Sequence, residues 1–394
     1  MEFIPSHHPL TPPHTEEVRA DWLRLLRSRR VGPTTFYRLM AEHGSARAAI
    51  EALPEVASKA GVRAYTVCPE NVIETELRTA RKIGARLVAV GEPAYPRLLA
   101  EIEDAPPLIW TLGDLSLFER PLVAVVGARN ASSQGLRFAR TLAEDLGAEG
   151  FGIVSGLARG IDGAVHRAAL ETGTIGVLAG GVNDIYPAAN ADIYKEMATR
   201  GIVMSEQPMG MKPFARHFPM RNRLVSGLAR ATIVVEAAAK SGSLLTAGNA
   251  LEQGREVMAV PGHPFDGRAA GCNILLRDGA HLVRSARDVI DALAAASPMA
   301  RTRVTDTRGA TPIPSDPDAA GDPQSRARQK PSVDLSKVTA LHDRILARIG
   351  GSDIPEDMLI REVGGDAEQV AGEILTLELT GRIARKSGGV LSLP

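Results

Sequence analysis

The stretch Leu122-Val-Ala-Val-Val-Gly-Ala-Arg-Asn-Ala-Ser-Ser-Gln-Gly135 reads as a strand, a tight turn and the opening of a helix. Leu122 to Val126 is apolar without a break, the pattern of a strand covered on both faces. Gly127 puts a residue without a Cβ at the turn, and a helical pattern follows from Leu136 to Leu146. The same grammar repeats outward. Leu87-Val-Ala-Val, Gly152-Ile-Val-Ser, Ile175-Gly-Val-Leu, Ile202-Val-Met-Ser, Thr232-Ile-Val-Val-Glu and Glu256-Val-Met-Ala-Val are further apolar runs, with helix patterns such as Ala164 to Thr172 between them. Strands and helices in alternation imply right-handed crossovers. The expected class is α/β, a doubly wound parallel sheet over residues 83–293.

The flanks have other textures. Residues 1–15 hold prolines with His7, His8 and His14, expected as a disordered leader rather than a metal site. Residues 16–82 look helical, opened by the amphipathic run from Val18. Within them Val31-Gly-Pro either presents amides to a phosphate or turns an ordinary helix corner. Residues 294–336, rich in Ala, Pro, Ser, Asp and Arg, read as a flexible linker. Residues 337–394 then give helical segments at Leu341–Ile349, Met358–Val363 and Val370–Leu379 and a hairpin turning at Gly388-Gly389, the layout of a winged helix.

Bulk composition narrows the chemistry. Lys plus Arg equals Asp plus Glu at 46 each, so capture of a polyanion by whole-protein charge is excluded and any anion site must be local. Cys68 and Cys272 have no metal-ligand spacing and read as two thiols in a reducing compartment. No run approaches the roughly 20 apolar residues of a membrane span, and the start has no apolar signal core. A cytoplasmic chain with no membrane partner is expected.

In a parallel α/β sheet, ligands gather where strands end and helices begin. Gly127 and Arg129 occupy the first such turn with Ser132, a guanidinium fork beside a helix start. The second offers Ser155, Gly156, Arg159 and Gly160. Asp162 beyond them is read as a helix cap, and His166 as a satisfied core histidine, against the alternative of a catalytic pair. The third holds Gly181 and Asn183, with Tyr186 either stacking on a base or packing beneath its loop. In the fourth, Arg221, Asn222 and Arg223 follow Phe218-Pro219 near a helix start, where cations are disfavoured. An anion would reconcile two arginines there; so would carboxylates such as Glu206 or Glu236. The fifth is Ser241-Gly242-Ser243. Together these loops predict a groove of amides, hydroxyls and guanidiniums that follows several phosphates. The sequence has no Gly-x-x-x-x-Gly-Lys-Ser/Thr run, His-Glu-x-x-His pair or Gly-x-Ser-x-Gly elbow, so no catalytic residue, metal or cofactor is assigned.

In order, Gly127-Ala-Arg with Ser132 and Gly135, Ser155-Gly-Leu-Ala-Arg-Gly-Ile-Asp162, Tyr186-Pro187 with Asn190, Phe218-Pro-Met-Arg-Asn-Arg223, Ser241-Gly-Ser243 and Pro261-Gly262 resemble the DNA-processing DprA family, also called Smf. The resemblance covers residues 94–293. It implies an extended Rossmann-like fold flanked by a SAM-like or helix-hairpin-helix-like N-terminal domain and a C-terminal winged helix. It further implies a non-catalytic homodimer, formed through the Rossmann-like domain, that binds single-stranded DNA and loads the RecA recombinase during natural transformation. Arg129 and Arg159 would then line the DNA pocket. Where relatives can carry serine or lysine, this chain has Ala128 and Arg159. Two other readings remain open. A nucleoside monophosphate hydrolase of related fold would want a Pro-Gly-Gly-x-Gly-Thr loop, where Ala239-Lys-Ser-Gly-Ser-Leu-Leu-Thr246 stands instead. A duplex-DNA regulator would use Arg382, Arg385 and Lys386 of the winged helix.

Overall fold

The computed structural model describes residues 11–62, 64–296 and parts of 342–392. They fall in two compact units, within residues 1–309 and 310–394. The first ten residues and residues 297–336 of the expected linker lie outside the described residues, while residues 294–296, expected in that linker, instead close a helix that ends at Ala296.

The first unit opens with four helices, α1 (Glu16–Arg27), α2 (Pro33–His43), α3 (Ala46–Lys59) and α4 (Glu70–Ile83). Thr15 caps α1, its hydroxyl accepting the Val18 amide at 3.2 Å. Glu16 and Glu17 then sit at the positive end of that helix, Arg24 and Arg27 at the negative end. Pro33 takes the first position of α2, where its missing N–H costs nothing, and Gly32 caps it. The Val31-Gly-Pro segment is therefore a corner between helices. Trp22 and Phe36 meet edge to face at 5.2 Å in the core of these helices.

A nine-stranded sheet follows: β1 (Arg86–Ala89), β2 (Leu108–Gly113), β3 (Leu122–Val126), β4 (Gly152–Ser155), β5 (Thr174–Val177), β6 (Ile202–Ser205), β7 (Ala231–Val234), β8 (Glu256–Ala259) and β9 (His281–Leu282). Their order is β1-β2-β6-β5-β4-β3-β7-β8-β9. Strands β3 to β9 are parallel, as the alternating pattern requires. The edge departs from expectation. β2 pairs antiparallel with β6, and β1 antiparallel with β2, so the Leu87 run is no member of the parallel set.

Each residue of β3 shows why the sheet needs two covers. Val123 and Val125 enter one core, while Leu122, Ala124 and Val126 enter the other. Burying each valine contributes roughly 1.5–3 kcal/mol. The covering helices are α6 (Ser133–Ala148), α7 (Ile161–Ala168), α8 (Ala191–Arg200), α9 (His217–Gly227), α10 (Gly242–Glu252), α11 (Ala270–Arg277) and α12 (Ala286–Ala296), after the single turn α5 (Arg97–Ala100). Helix α4 joins the sheet through Glu76, which accepts Trp110 Nε1 at 2.8 Å and pairs with Arg27. Chain order runs from β3 out to β6, then returns to place β7 on the other side of β3. That reversal splits the loops apart above β3 and β7, leaving a crevice.

In the second unit, β10 (Ile354–Pro355), α13 (Glu356–Val363), β11 (Ala384–Lys386) and β12 (Val390–Ser392) surround a core containing Ile345, Leu359, Ile374 and Leu391. The sheet order is β10-β12-β11, and Lys386 faces Val390 across an antiparallel pair. The hairpin turn at Gly388-Gly389 lies outside the described residues.

Candidate nucleic-acid interface

The crevice above β3 and β7 encloses about 620 Å³, and a smaller recess of about 280 Å³ adjoins it. Arg129, Gly156, Ala158 and Phe218 line both. The three turns that meet here are packed on one another. A Cβ on Gly127 would lie 2.7 Å from Ile161 Cγ1, and one on Gly156 would lie 2.1 Å from Arg221 Nη1. Gly160 has φ +80°, and a Cβ there would lie 2.2 Å from the Ala128 carbonyl oxygen. Glycine at these turns is expected from the sequence to admit an anion to the backbone. In these three positions the missing Cβ faces protein instead, because the turns must close over each other.

At the floor, Arg221 is only 6% exposed. Its Nη1 donates to the Gly156 and Val177 carbonyls, both at 2.5 Å. Burial lowers its pKa to about 10, partly opposed by Asp162, so it remains a cation at neutral pH. Asp162 Oδ2 accepts the Gly156 and Ala158 amides at 3.2 and 3.3 Å. Burial raises the pKa of that carboxyl, against the pull of Arg221 and the two amides. His166 Nε2 accepts the Leu157 amide at 3.3 Å, so Nδ1 carries the proton and donates to Thr174 Oγ1 at 2.7 Å. Burial holds this imidazole neutral, with a pKa of about 3. Asp162 and His166 thus fix the turn in which Arg159 sits.

Arg129 and Arg159 are exposed and have no carboxylate partner among the described residues. The Arg129 guanidinium lies over the Phe218 ring at 5.2 Å, and Tyr186 sits 5.8 Å from the same ring. Tyr186, half exposed and joined to Pro187 by a cis bond, lines the recess with Arg159. Cation and aromatics therefore form one wall.

On the other side, Asn222 Nδ2 donates to the Gly242 carbonyl at 3.3 Å, and Ser241 caps α10 by accepting the Ser243 amide at 3.3 Å. Both serines and Gly242 line the crevice, as does Arg268, which pairs with Asp266 at 3.0 Å.

Several expected residues face elsewhere. Arg223 is held by Glu206 at 2.5 Å and Asp104 at 3.0 Å, so its charge is neutralised within the protein. Ser155 is fully buried and donates to the Val125 carbonyl at 2.7 Å. Ser132 caps α6, and its amide and hydroxyl both go to the Glu236 carboxylate. The Gly181 amide donates to Met211, and Asn183 Oδ1 accepts the Gly210 amide at 2.6 Å. These two brace the third loop from within. Phe218, quoted in the sequence only as part of a motif, is the wall residue that pattern reading missed; its one signal was the Phe-Pro pair at a helix start.

Residues 86–294 match the family described as DNA recombination-mediator protein A. The chain belongs to that family. Residues 16–79 match the DprA-like N-terminal HHH domain and residues 325–389 the DprA winged helix domain. DNA processing protein DprA of Bacillus subtilis is 42% identical over 220 residues, covering 55% of this chain and 74% of that protein. Protein Smf of Escherichia coli is 34% identical over 328 residues, 82% of each chain. The X-ray structure of DprA from Streptococcus pneumoniae is similar with a TM-score of 0.59 and 35% identity, covering 69% of this chain and 97% of that one. Among the described residues no helix is long and apolar enough to cross a membrane, and no cluster of His, Cys, Asp or Glu is arranged to hold a metal ion.

Proposed function

We propose that this chain binds single-stranded DNA along the recess and the mouth of the crevice, protects it and passes it to the RecA recombinase. It does so as a homodimer formed through its α/β domain. The observation that carries the reading is the wall of Arg129, Arg159, Phe218 and Tyr186: two exposed cations with no ion pair among the described residues, beside two rings. Guanidiniums track phosphates, while rings accept bases of any sequence. A duplex keeps its bases stacked away from such a wall, so an unpaired strand fits it better. The descriptions of the relatives, DNA processing and recombination mediation, support the same class. Asp162 and His166 spend their hydrogen bonds on a loop, which favours binding over hydrolysis.

The test is filter binding of one oligonucleotide as single strand and as duplex, with the intact protein and with Arg129→Ala and Arg159→Ala. Binding should favour the single strand, and each substitution should weaken it across all sequences. Equal affinity for both forms, or two silent substitutions, would refute the assignment. Release of base or phosphate from a nucleoside monophosphate would favour the hydrolase reading. RecA loading is tested separately, by whether the protein speeds RecA filament formation on strands already covered by single-strand-binding protein.

A further inference from the structure

Arg221 holds a buried cation at the floor of the crevice, and one of its donors is unused. Nη1 is taken by two carbonyls, while Nε is buried with no hydrogen-bond partner among the described residues. A buried donor left unmade costs about 1–3 kcal/mol, so an acceptor from outside would relieve it.

The surroundings define that acceptor. Helix α10, eleven residues long, begins on the same crevice. Gly242 is exposed there, and a Cβ on it would meet nothing within 4 Å, unlike the packed glycines of the other turns. The Ser243 and Leu244 amides are held by Ser241, which leaves the Gly242 amide as the helix-start donor; the Ser241 and Ser243 hydroxyls, hydrogen-bonded to each other at 2.8 Å, leave one further O–H for an anion. Asp162 is the only carboxylate lining the crevice among the described residues, and one of its oxygens is occupied by two amides. Depth then selects among phosphates. A phosphodiester is substituted on two oxygens and must run in and out, which suits the exposed Arg129 at the mouth. A phosphomonoester has one substituent, three free oxygens and a charge of about −1.5 to −2 at neutral pH.

We infer that the crevice between the buried Arg221 at its floor and the start of α10 (Ser241, Gly242, Ser243) on its side is a phosphomonoester site, distinct from the phosphodiester path past Arg129. The phosphate comes from the end of a DNA strand or from a free nucleoside monophosphate. This rests on the single-strand reading above.

The experiment compares anisotropy of an internally labelled oligo-dT bearing hydroxyl ends, a 5′-phosphate or a 3′-phosphate, with direct titration of dTMP alongside. A terminal phosphate at one end should tighten binding about tenfold, the upper range for an anion at a partly buried helix start. The readout is the ratio of phosphorylated to unphosphorylated affinity. In Gly242→Asp, which adds a carboxylate at a spacious helix start where acids are tolerated, that ratio should fall to about one. Ser243→Ala, a milder change, should lower it partway. Saturable dTMP binding that Gly242→Asp abolishes would identify the free nucleotide as the source and uphold the site. Equal affinity for all three strands with no dTMP binding overturns the inference while leaving the single-strand reading intact. A phosphate preference that survives both substitutions overturns it as well. Failure of every strand to bind would instead sink the single-strand reading.

Discussion

Arg223 and Glu206 meet at 2.5 Å on the inner side of α9, each side chain little exposed, with Asp104 completing the contact at 3.0 Å from Arg223. Burial raises the pKa of Glu206, and Arg223 opposes that rise. Glu206 Oε1 has no partner among the described residues, so the carboxylate depends on the arginine. Arg223→Ala should therefore lower the unfolding free energy by about 3–5 kcal/mol, the cost of stranding a buried charge. Urea denaturation checks this. Where the variant remains folded, its single-strand affinity should stay within about threefold of the parent (~0.7 kcal/mol). A large loss of affinity at unchanged stability would place Arg223 on the DNA instead.

Two glycines should respond differently to the same added methyl group. Gly160→Ala forces a Cβ to 2.2 Å from the Ala128 carbonyl oxygen at φ +80°, and should destabilise by about 1–3 kcal/mol. Gly242→Ala adds its Cβ to open space at a helix start, and stability should hold to within about 1 kcal/mol. Thermal melts of the two variants side by side decide the matter. Parental stability in Gly160→Ala would contradict the packing described for these turns.

The buried His166 gives a pH signature. Burial depresses its pKa from 6.5 to about 3, so between those values the unfolded chain takes up a proton that the folded chain refuses. Its contribution is complete above pH 6.5 and is lost as pH falls toward 3. Asp162 and Glu206, raised by burial, act in the opposite sense on acidification. Comparison with His166→Gln cancels them. The stability difference between parent and variant should shrink by about 1.4 kcal/mol per pH unit from pH 6 to pH 4. A flat difference, or an imidazole whose NMR signals titrate near pH 6.5, would contradict the neutral tautomer.

The parallel sheet was legible because Leu122–Val126 and its counterparts bury both faces and so lose every polar alternation. Strand β2 was not. Pro106-Pro107 precede it, and its role depends on Trp110 pairing with Ser205, a contact no local pattern announces. At the site, Arg129 and Arg159 stand exposed at the strand ends, where turn chemistry places them. For Arg223 the sequence leaves an anion and a carboxylate such as Glu206 both open, and the structure supplies Glu206. The arginine's other partner, Asp104, lies 119 residues earlier in the chain, and only the fold brings it close. Ser132, Ser155 and Asn183 share that history, since short polar side chains at turns serve the backbone as readily as a ligand.

Salt dependence probes the phosphate path most directly. Affinity for oligo-dT should fall with a log–log slope of about −3 to −4, or about five phosphates at roughly 0.7 per single-strand contact. The double variant Arg129→Ala/Arg159→Ala should lose two contacts, making the slope shallower by about 1.4. Such a change, with the melting temperature preserved, is the result expected of two free guanidiniums on a DNA backbone. An identical slope in parent and double variant would show that the strand lies elsewhere.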